Sequence, residues 1–291
     1  MELHIQNLTK TYPNGVQALQ AIDLHIQPGM FGLLGPNGAG KSSLMRTIAT
    51  LQQPDAGSIR FAEIDVLHDP MSLRKILGYL PQDFGLYPKV SAWKLLDYFA
   101  LLKGIASKRD RQQKLEEVLH LTNLYDKRHK AVSTYSGGMR QRFGIAQLLI
   151  NDPQLIIVDE PTAGLDPAER NRFLNLLREI GANHLVIFST HLVEDIEALC
   201  TDMAILNQGQ ILLQQSPQAA VSALTGKVWT KAIDSRELPN YEQQFNILTT
   251  SFSTSGRQTI RVRSDYRPDD SFQPAAQVSL EDVYFSYLKS N

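Results

Sequence analysis

The chain has 291 residues, enough for one large domain or a domain with an appendage, and its 43% hydrophobic residues suffice for a well-buried core and exclude disorder or a fibre. A formal net charge of -1 carries no global basic field, so a polyanion is not expected as the main partner. A single cysteine, Cys200, excludes an internal disulfide and a cysteine-based zinc cluster, and strand-length apolar runs behind a Met1-Glu2-Leu3-His4 start predict a soluble chain of a reducing compartment.

Leu3-His4-Ile5-Gln6-Asn7-Leu8 alternates apolar and polar residues like a half-buried strand, and Tyr12-Pro13-Asn14-Gly15 predicts a turn into a second strand over 16–26. Gln27-Pro28-Gly29 breaks that strand. The apolar run Met30-Phe31-Gly32-Leu33-Leu34 then feeds into Gly35-Pro36-Asn37-Gly38-Ala39-Gly40-Lys41-Ser42, a complete G-x-x-x-x-G-K-[ST] phosphate-binding loop. Its glycines let consecutive backbone N–H groups curl around phosphate oxygens without Cβ clashes, and the helix predicted over 41–49 points its partially positive N-terminus at the same anion. Lys41 is placed to reach β- and γ-phosphates and Ser42 Oγ to reach Mg²⁺, with Ser43 beside it. Further short strands are expected at 57–61 and 76–80.

Between 90 and 150 the pattern turns helical. Ser91 is a candidate N-cap ahead of Trp93, Leu95, Leu96, Phe99 and Leu102 at helical spacing, Ser107 caps a more charged helix, and Ser136 a third through Phe143, Ile145, Leu148 and Leu149. Strand and helix alternate again after Pro153, with strands at 155–158 and 184–188 and helices at 167–180 and 191–199, which is the grammar of a parallel sheet. Asn207-Gln208-Gly209-Gln210 predicts a hairpin, and Ser216-Pro217 opens a short helix. From Lys227 onward Thr, Ser and Gln are more frequent, with strand-like pieces at 228–233, 245–248 and 259–262 and a capped terminal helix from Ser279.

A phosphate loop alone leaves kinases, GTPases and many ATPases open. Leu155-Ile156-Ile157-Val158 ends in Asp159 and Glu160, so Asp159 falls at the C-terminal edge of a strand beside the loop, where it can hold Mg²⁺ or its water shell. Glu160 is positioned to orient or deprotonate a water attacking the γ-phosphate. Tyr135-Ser136-Gly137-Gly138-Met139-Arg140-Gln141 opens a helix with a serine and two glycines, a second anion site of capped N-terminus and exposed N–H groups.

With these residues the chain resembles, over 3–224, the ATP-binding subunit of ABC transporters. The resemblance is carried by Tyr12, the phosphate loop, Gln82 in Tyr79-Leu80-Pro81-Gln82, the Ser136-Gly137-Gly138 signature, Asp159-Glu160, Gly164-Leu165-Asp166, and His191 in Ser189-Thr190-His191. It implies an α/β fold: a P-loop NTPase core with a mixed sheet, an N-terminal antiparallel β-subdomain, a helical insertion over 90–150 carrying the signature, and a small β-rich appendage over 225–291. It also implies a head-to-tail dimer with a second copy or a homologous ATPase subunit, ATP and Mg²⁺ lying between one subunit's phosphate loop and the other's signature. Within that dimer Tyr12 stacks on adenine, Ser136 and Gly138 N–H close over the phosphates from the partner side, His191 contacts the γ-phosphate, Gln82 senses Mg²⁺ and the attacking water, and Asp166 couples the two sites. Gly35, Pro36, Asn37, Gly38, Ala39, Gly40, Lys41, Ser42 and Ser43 form the nucleotide cradle, with Gly137 in the signature; Ser42, Gln82 and Asp159 are the metal candidates.

The signature usually reads Leu-Ser-Gly-Gly-Gln, whereas Tyr135 and Met139 stand at its ends here, and Ala62 replaces a frequent turn glycine. Met139-Arg140-Gln141-Arg142 and the ending Ser279-Leu280-Glu281-Asp282-Val283-Tyr284-Phe285 resemble the exporter-type branch paired with ABC-2-type membrane permeases. The expected location is cytoplasmic, peripheral on the membrane through that permease. Phe84, Leu86, Tyr87, Pro88 and Trp93 are candidate docking residues, packing against the core being the alternative. A soluble switch acting on nucleic acid or ribosomes is the competing function; no long coiled coil fits between loop and signature, one domain is present rather than two, and nucleic-acid binding is not expected.

Overall fold

The computed structural model describes residues 1–85, 87, 89–252 and 257–289. Leu86 and Pro88 of the docking segment lie outside them. An antiparallel sheet opens the chain: β1 (Leu3–Thr11) pairs with β2 (Gln17–Ile26) on one side and, after β3 (Gly29–Leu34) and α1 (Lys41–Ile48), with β4 (Ala56–Phe61) on the other, and β5 (Ile64–Asp65) adds the edge. The Asp69-Pro70 step then starts α2 (Pro70–Ile76), Asp69 accepting from Ser72 N–H as its cap, and β6 (Leu77–Leu80) follows. Sequence periodicity merged Ile76 into that strand; proline at the first helical turn was the unread signal.

The helical block comprises α3 (Ala92–Leu102), α4 (Lys108–Leu121) and α5 (Gly137–Leu149), capped by the hydroxyls of Ser91, Ser107 and Ser136. The chain then returns through β7 (Leu155–Asp159), α6 (Pro167–Gly181), β8 (Leu185–Thr190) and α7 (Val193–Leu199) to the hairpin β9 (Asp202–Asn207) and β10 (Gln210–Gln215) and to α8 (Pro217–Leu224). These strands join β3 and β6 in a six-stranded sheet of order β10-β9-β3-β8-β7-β6, parallel except at the β10 edge.

Two-residue periodicity splits the core along this sheet. Leu155, Ile157, Leu185 and Ile187 face α1 and the N-terminal sheet, whereas Ile156, Val158, Val186 and Phe188 face the helical block with α6 and α7. Strands buried on both faces read as unbroken apolar runs, which is why 155–158 was legible. Gly32 of β3 lies against α7, where a Cβ would crowd Cys200 Sγ at 2.8 Å. Burial pushes the Cys200 thiol well up, so this residue packs as a small hydrophobe.

The C-terminal region adds β11 (Val228–Asp234), α9 (Leu238–Gln244), β12 (Ile247–Phe252), β13 (Arg257–Arg263) and β14 (Gln273–Pro274) in a sheet of order β12-β13-β11-β14, closed over Ile233, Ile247, Ile260, Val262 and Phe272. The final helix, α10 (Leu280–Leu288), leaves this small core. Leu280, Val283 and Tyr284 join the main apolar cluster with Ile196, Leu199 and Met203, and Leu280 N–H donates to Glu197 of α7 at 3.2 Å. Arg261 Nε and Nη2 hold both oxygens of the buried Asp282 at 2.7 and 2.6 Å, so α10 ties the added sheet to the parallel-sheet core.

Candidate functional site

Residues 35–42 turn from the end of β3 into α1 around glycines whose backbone no other residue adopts without cost. Gly38 has φ +81 with open space where a Cβ would stand, and Gly40 has φ +110 with a Cβ position that overlaps the Ala18 carbonyl. Lys41, the first residue of α1, is only 4% exposed, and its Nζ donates to the Gly35 and Pro36 carbonyls at 2.8 and 3.1 Å while pairing with Glu160 Oε1 at 3.0 Å. The ammonium, which has three donors, is thus held by three oxygens: two loop carbonyls and the Glu160 carboxylate.

Glu160 is the convergence point. Its φ of 44 places it in the left-handed region, sparse for a residue with a side chain, and this turns the carboxylate out of line with β7. Beyond Lys41 on Oε1, its Oε2 accepts from Gln82 Nε2 at 3.4 Å and lies 3.5 Å from His191 Nδ1. Asp159 and Glu160 are fixed relative to one another by Ser189 of β8: its hydroxyl donates to Asp159 Oδ1 at 2.6 Å and accepts from Glu160 N–H at 2.9 Å. Sequence reasoning used Ser189 only as a flank of His191. The hydroxyl's role depends on the β7–β8 register, which pairs Asp159 with Ser189.

A buried carboxylate fixes the loop carrying His191. Asp195 of α7 is fully buried and accepts from Thr162 Oγ1 at 2.8 Å, Thr190 Oγ1 at 3.1 Å and Arg170 Nε at 2.6 Å. It thus joins the segment after Glu160, the residue before His191 and the helix begun by Asp166. One of three acidic residues in α7, Asp195 gave no sign of this in the sequence.

The cleft at the loop has a volume of about 670 Å³ and is lined by residues 37–43, Tyr12, Gln82 and Glu160, together with Val16, Gln17, Ala18, Gln20, Gln208 and Gly209, which motif reading missed. The β9–β10 turn reaches it through Gly209 N–H, which donates to the Ala39 carbonyl at 2.9 Å, and Gln20 N–H, which donates to the Gly209 carbonyl at 2.8 Å. Tyr12 borders the cleft with its hydroxyl 3.0 Å from Ser43 Oγ and donating to Gln52 Oε1 at 3.1 Å, so its ring is held by its polar end.

Ser136, Gly137, Gly138 and Asp166 are not among the residues lining this cleft. Ser136 and Gly137 are exposed, and Ser136 Oγ accepts from Met139 N–H at 3.2 Å as the cap of α5. Gly138 is buried against α6, where a Cβ would collide with the Glu169 carboxylate. Tyr135, the departure from the usual leucine, is 2% exposed, meets Phe143 edge-on and donates its hydroxyl to the Lys127 carbonyl at 3.0 Å. Burial raises that hydroxyl to about 12, which keeps it a donor. Asp166 is exposed and caps α6 by accepting from Glu169 N–H at 2.9 Å.

Of the docking candidates, Phe84 and Trp93 pack partly buried against the main core, while Tyr87 is 60% exposed. A groove of about 380 Å³ lies between the α1 end and α2 on one side and α3 on the other, lined among others by Leu51, Arg74, Tyr79, Phe99 and Leu102.

The ABC transporter family matches residues 19–163 of this chain. The chain is 36% identical over 233 residues to the uncharacterized ABC transporter ATP-binding protein YxlF of Bacillus subtilis (strain 168), covering 77% of each. It is 33% identical over 226 residues to the probable multidrug ABC transporter ATP-binding protein YbhF of Escherichia coli (strain K12), covering 77% of this chain and 39% of that longer one. The fold is similar to that of a dimeric ATP-binding cassette in a post-hydrolysis state bound to ADP and Pi, at 25% identity and a TM-score of 0.67, over 74% of this chain and 98% of that one.

Proposed function

The chain belongs to the ABC transporter family as an ATP-binding subunit with ATPase activity, and from that premise we propose that it works as one half of a head-to-tail dimer driving an ABC-2-type membrane permease in export of a small molecule, ion or lipid-like compound. Among the described residues no helix is long and apolar enough to cross a membrane. The transport path is assigned to the permease, which holds this chain at the membrane surface.

The observation that carries this reading is the convergence of Lys41, Gln82 and His191 on the two oxygens of Glu160 at the mouth of the glycine loop. The cradle fits a nucleotide triphosphate: left-handed glycines bare their backbone, a buried ammonium faces the loop, and Tyr12 offers a ring for adenine. Ser42 Oγ, Asp159 and the Gln82 side-chain carbonyl are hard oxygen donors suited to Mg²⁺. When bound, that ion neutralises charge developing on the phosphates. Lys41 supplies fixed positive charge from the loop side, Glu160 accepts the proton of the attacking water, and His191 and Gln82 orient the Glu160 carboxylate. Ser136 and Gly137, exposed at the start of α5, and Asp166 act on the nucleotide held by a second copy, with Gly138 buried against α6 beneath them.

The groove beside α3 is the proposed seat of a cytoplasmic helix of the permease. Its rim carries Leu51 at 61% and Leu102 at 64% exposure, apolar surface of the kind that receives a partner helix. Leu51→Glu with Leu102→Glu is expected to abolish co-purification of the permease while nucleotide binding stays at the wild-type level. Undiminished co-purification would overturn the docking assignment.

A further inference from the structure

Glu2, His4 and His25 form a cluster of coordinating side chains apart from the residues lining the nucleotide cleft. Side chains two residues apart on a strand share a face, as do residues directly opposite one another, so Glu2 and His4 stand together and His25, registered with His4 across β1 and β2, joins them. The two imidazoles stack with centroids 4.2 Å apart and planes 15° from parallel. Both turn Nε2 toward one carboxylate oxygen: Glu2 Oε2 is 3.2 Å from His4 Nε2 and 2.9 Å from His25 Nε2.

The two Glu2 edges of that triangle match the spacing of a ligand set, and the stacked, exposed rings need to tilt toward one another for both Nε2 lone pairs to meet on one ion. A first-row divalent ion with bonds of about 2.0–2.2 Å to nitrogen and oxygen separates adjacent ligand atoms by roughly 3 Å, and the three ligand atoms here all lie within 4.8 Å of one another. The backbone beneath them is held on both sides. The Glu2 carbonyl accepts from Ala62 N–H at 2.9 Å, and the Gln214 side chain accepts from His25 N–H at 3.4 Å and donates to its carbonyl at 2.5 Å. The side chains are 45–47% exposed, leaving room for water in the remaining positions.

We propose that Glu2, His4 and His25 bind a divalent transition-metal ion of the zinc type, clipping β1 to β2. Two imidazoles with one carboxylate favour zinc, cobalt, nickel or copper, in contrast to the all-oxygen set at the phosphate loop, which suits magnesium. Arg60, opposite His4 on its other side, shares this face and opposes a bound cation electrostatically.

The test is titration of the untagged, nucleotide-free full chain with zinc chloride, by calorimetry and by thermal unfolding. The wild type is expected to take up zinc at this site and to unfold at a higher temperature with zinc, because a ligand of the native state stabilises it. His4→Gln and His25→Gln are each expected to weaken that uptake by about tenfold or more and to remove the zinc-dependent shift, while ATP binding, which reports the fold, is unchanged. A His4→Gln, His25→Gln double variant that binds zinc like the wild type would overturn the proposal, as would a wild type whose unfolding zinc does not shift.

Discussion

The phosphate-loop edge and the Ser136 edge of this chain carry comparably polar residues, yet only the first gathers them in one place. Lys41, Gln82 and His191 meet around the Glu160 carboxylate, and Ser189 ties the Glu160 backbone N–H to the Asp159 carboxylate. Ser136 and Asp166 instead cap separate helices at the surface, with their side-chain oxygens engaged by Met139 and Glu169 N–H. The contrast separates residues that folding gathers around one carboxylate from residues that it leaves at two separate helix starts. Substitutions at the first edge should therefore damage nucleotide chemistry within one chain, and those at the second should damage association.

The sharpest break comes at Glu160. Glu160→Gln is expected to lower steady-state phosphate release by about 10²–10⁴-fold while bound nucleotide persists, measurable by phosphate assay beside equilibrium binding; near-normal release would remove Glu160 from the role of base. Lys41→Ala should reduce nucleotide affinity by on the order of 100-fold, read by titration with a fluorescent ATP analogue. Retained tight binding would contradict the cradle.

Asp195 extends the comparison to the wiring between the edges. Asp195→Ala leaves Arg170 and two threonine hydroxyls without their shared acceptor, so a stability loss of about 3 kcal/mol is expected in urea unfolding, with a smaller loss for Asp195→Asn. At the gentle end, Tyr12→Ala should cost about 1 kcal/mol of nucleotide affinity. Tyr12→Phe, which keeps the ring and loses only the bonds to Ser43 and Gln52, should stay near wild type.

Those bonds mark the boundary of what the sequence made legible. The loop, both carboxylates and the parallel strands were readable because each rests on local chemistry: glycines at fixed spacing, an apolar run ending in acids, a proline or serine at a helix start. Ser189, Thr162 and Asp195 were not, since their roles come from register and packing between segments remote in the chain. The site walls at Gln20 and Gln208-Gly209 escaped for the same reason; the hairpin was predicted, but not that its turn reaches the phosphate loop. In the C-terminal region β11 and β13 were anticipated and β12 in part, whereas β14 and α9 were not, although Asp234 and Glu237 form a capping box just ahead of α9. Tyr135 shows the reverse case, a departure from a familiar pattern whose reason, a buried ring with a hydroxyl tied to Lys127, is visible only in three dimensions.

The central claim is that the surface-facing Ser136 edge completes the site of a second copy. Light scattering of Glu160→Gln with and without MgATP tests it most directly, repeated with Ser136→Arg added. MgATP is expected to shift Glu160→Gln from one chain to two, and Ser136→Arg to abolish the shift while nucleotide still binds to the single chain. A Glu160→Gln chain that binds MgATP and stays single, or a Ser136→Arg chain that dimerises undiminished, would contradict it.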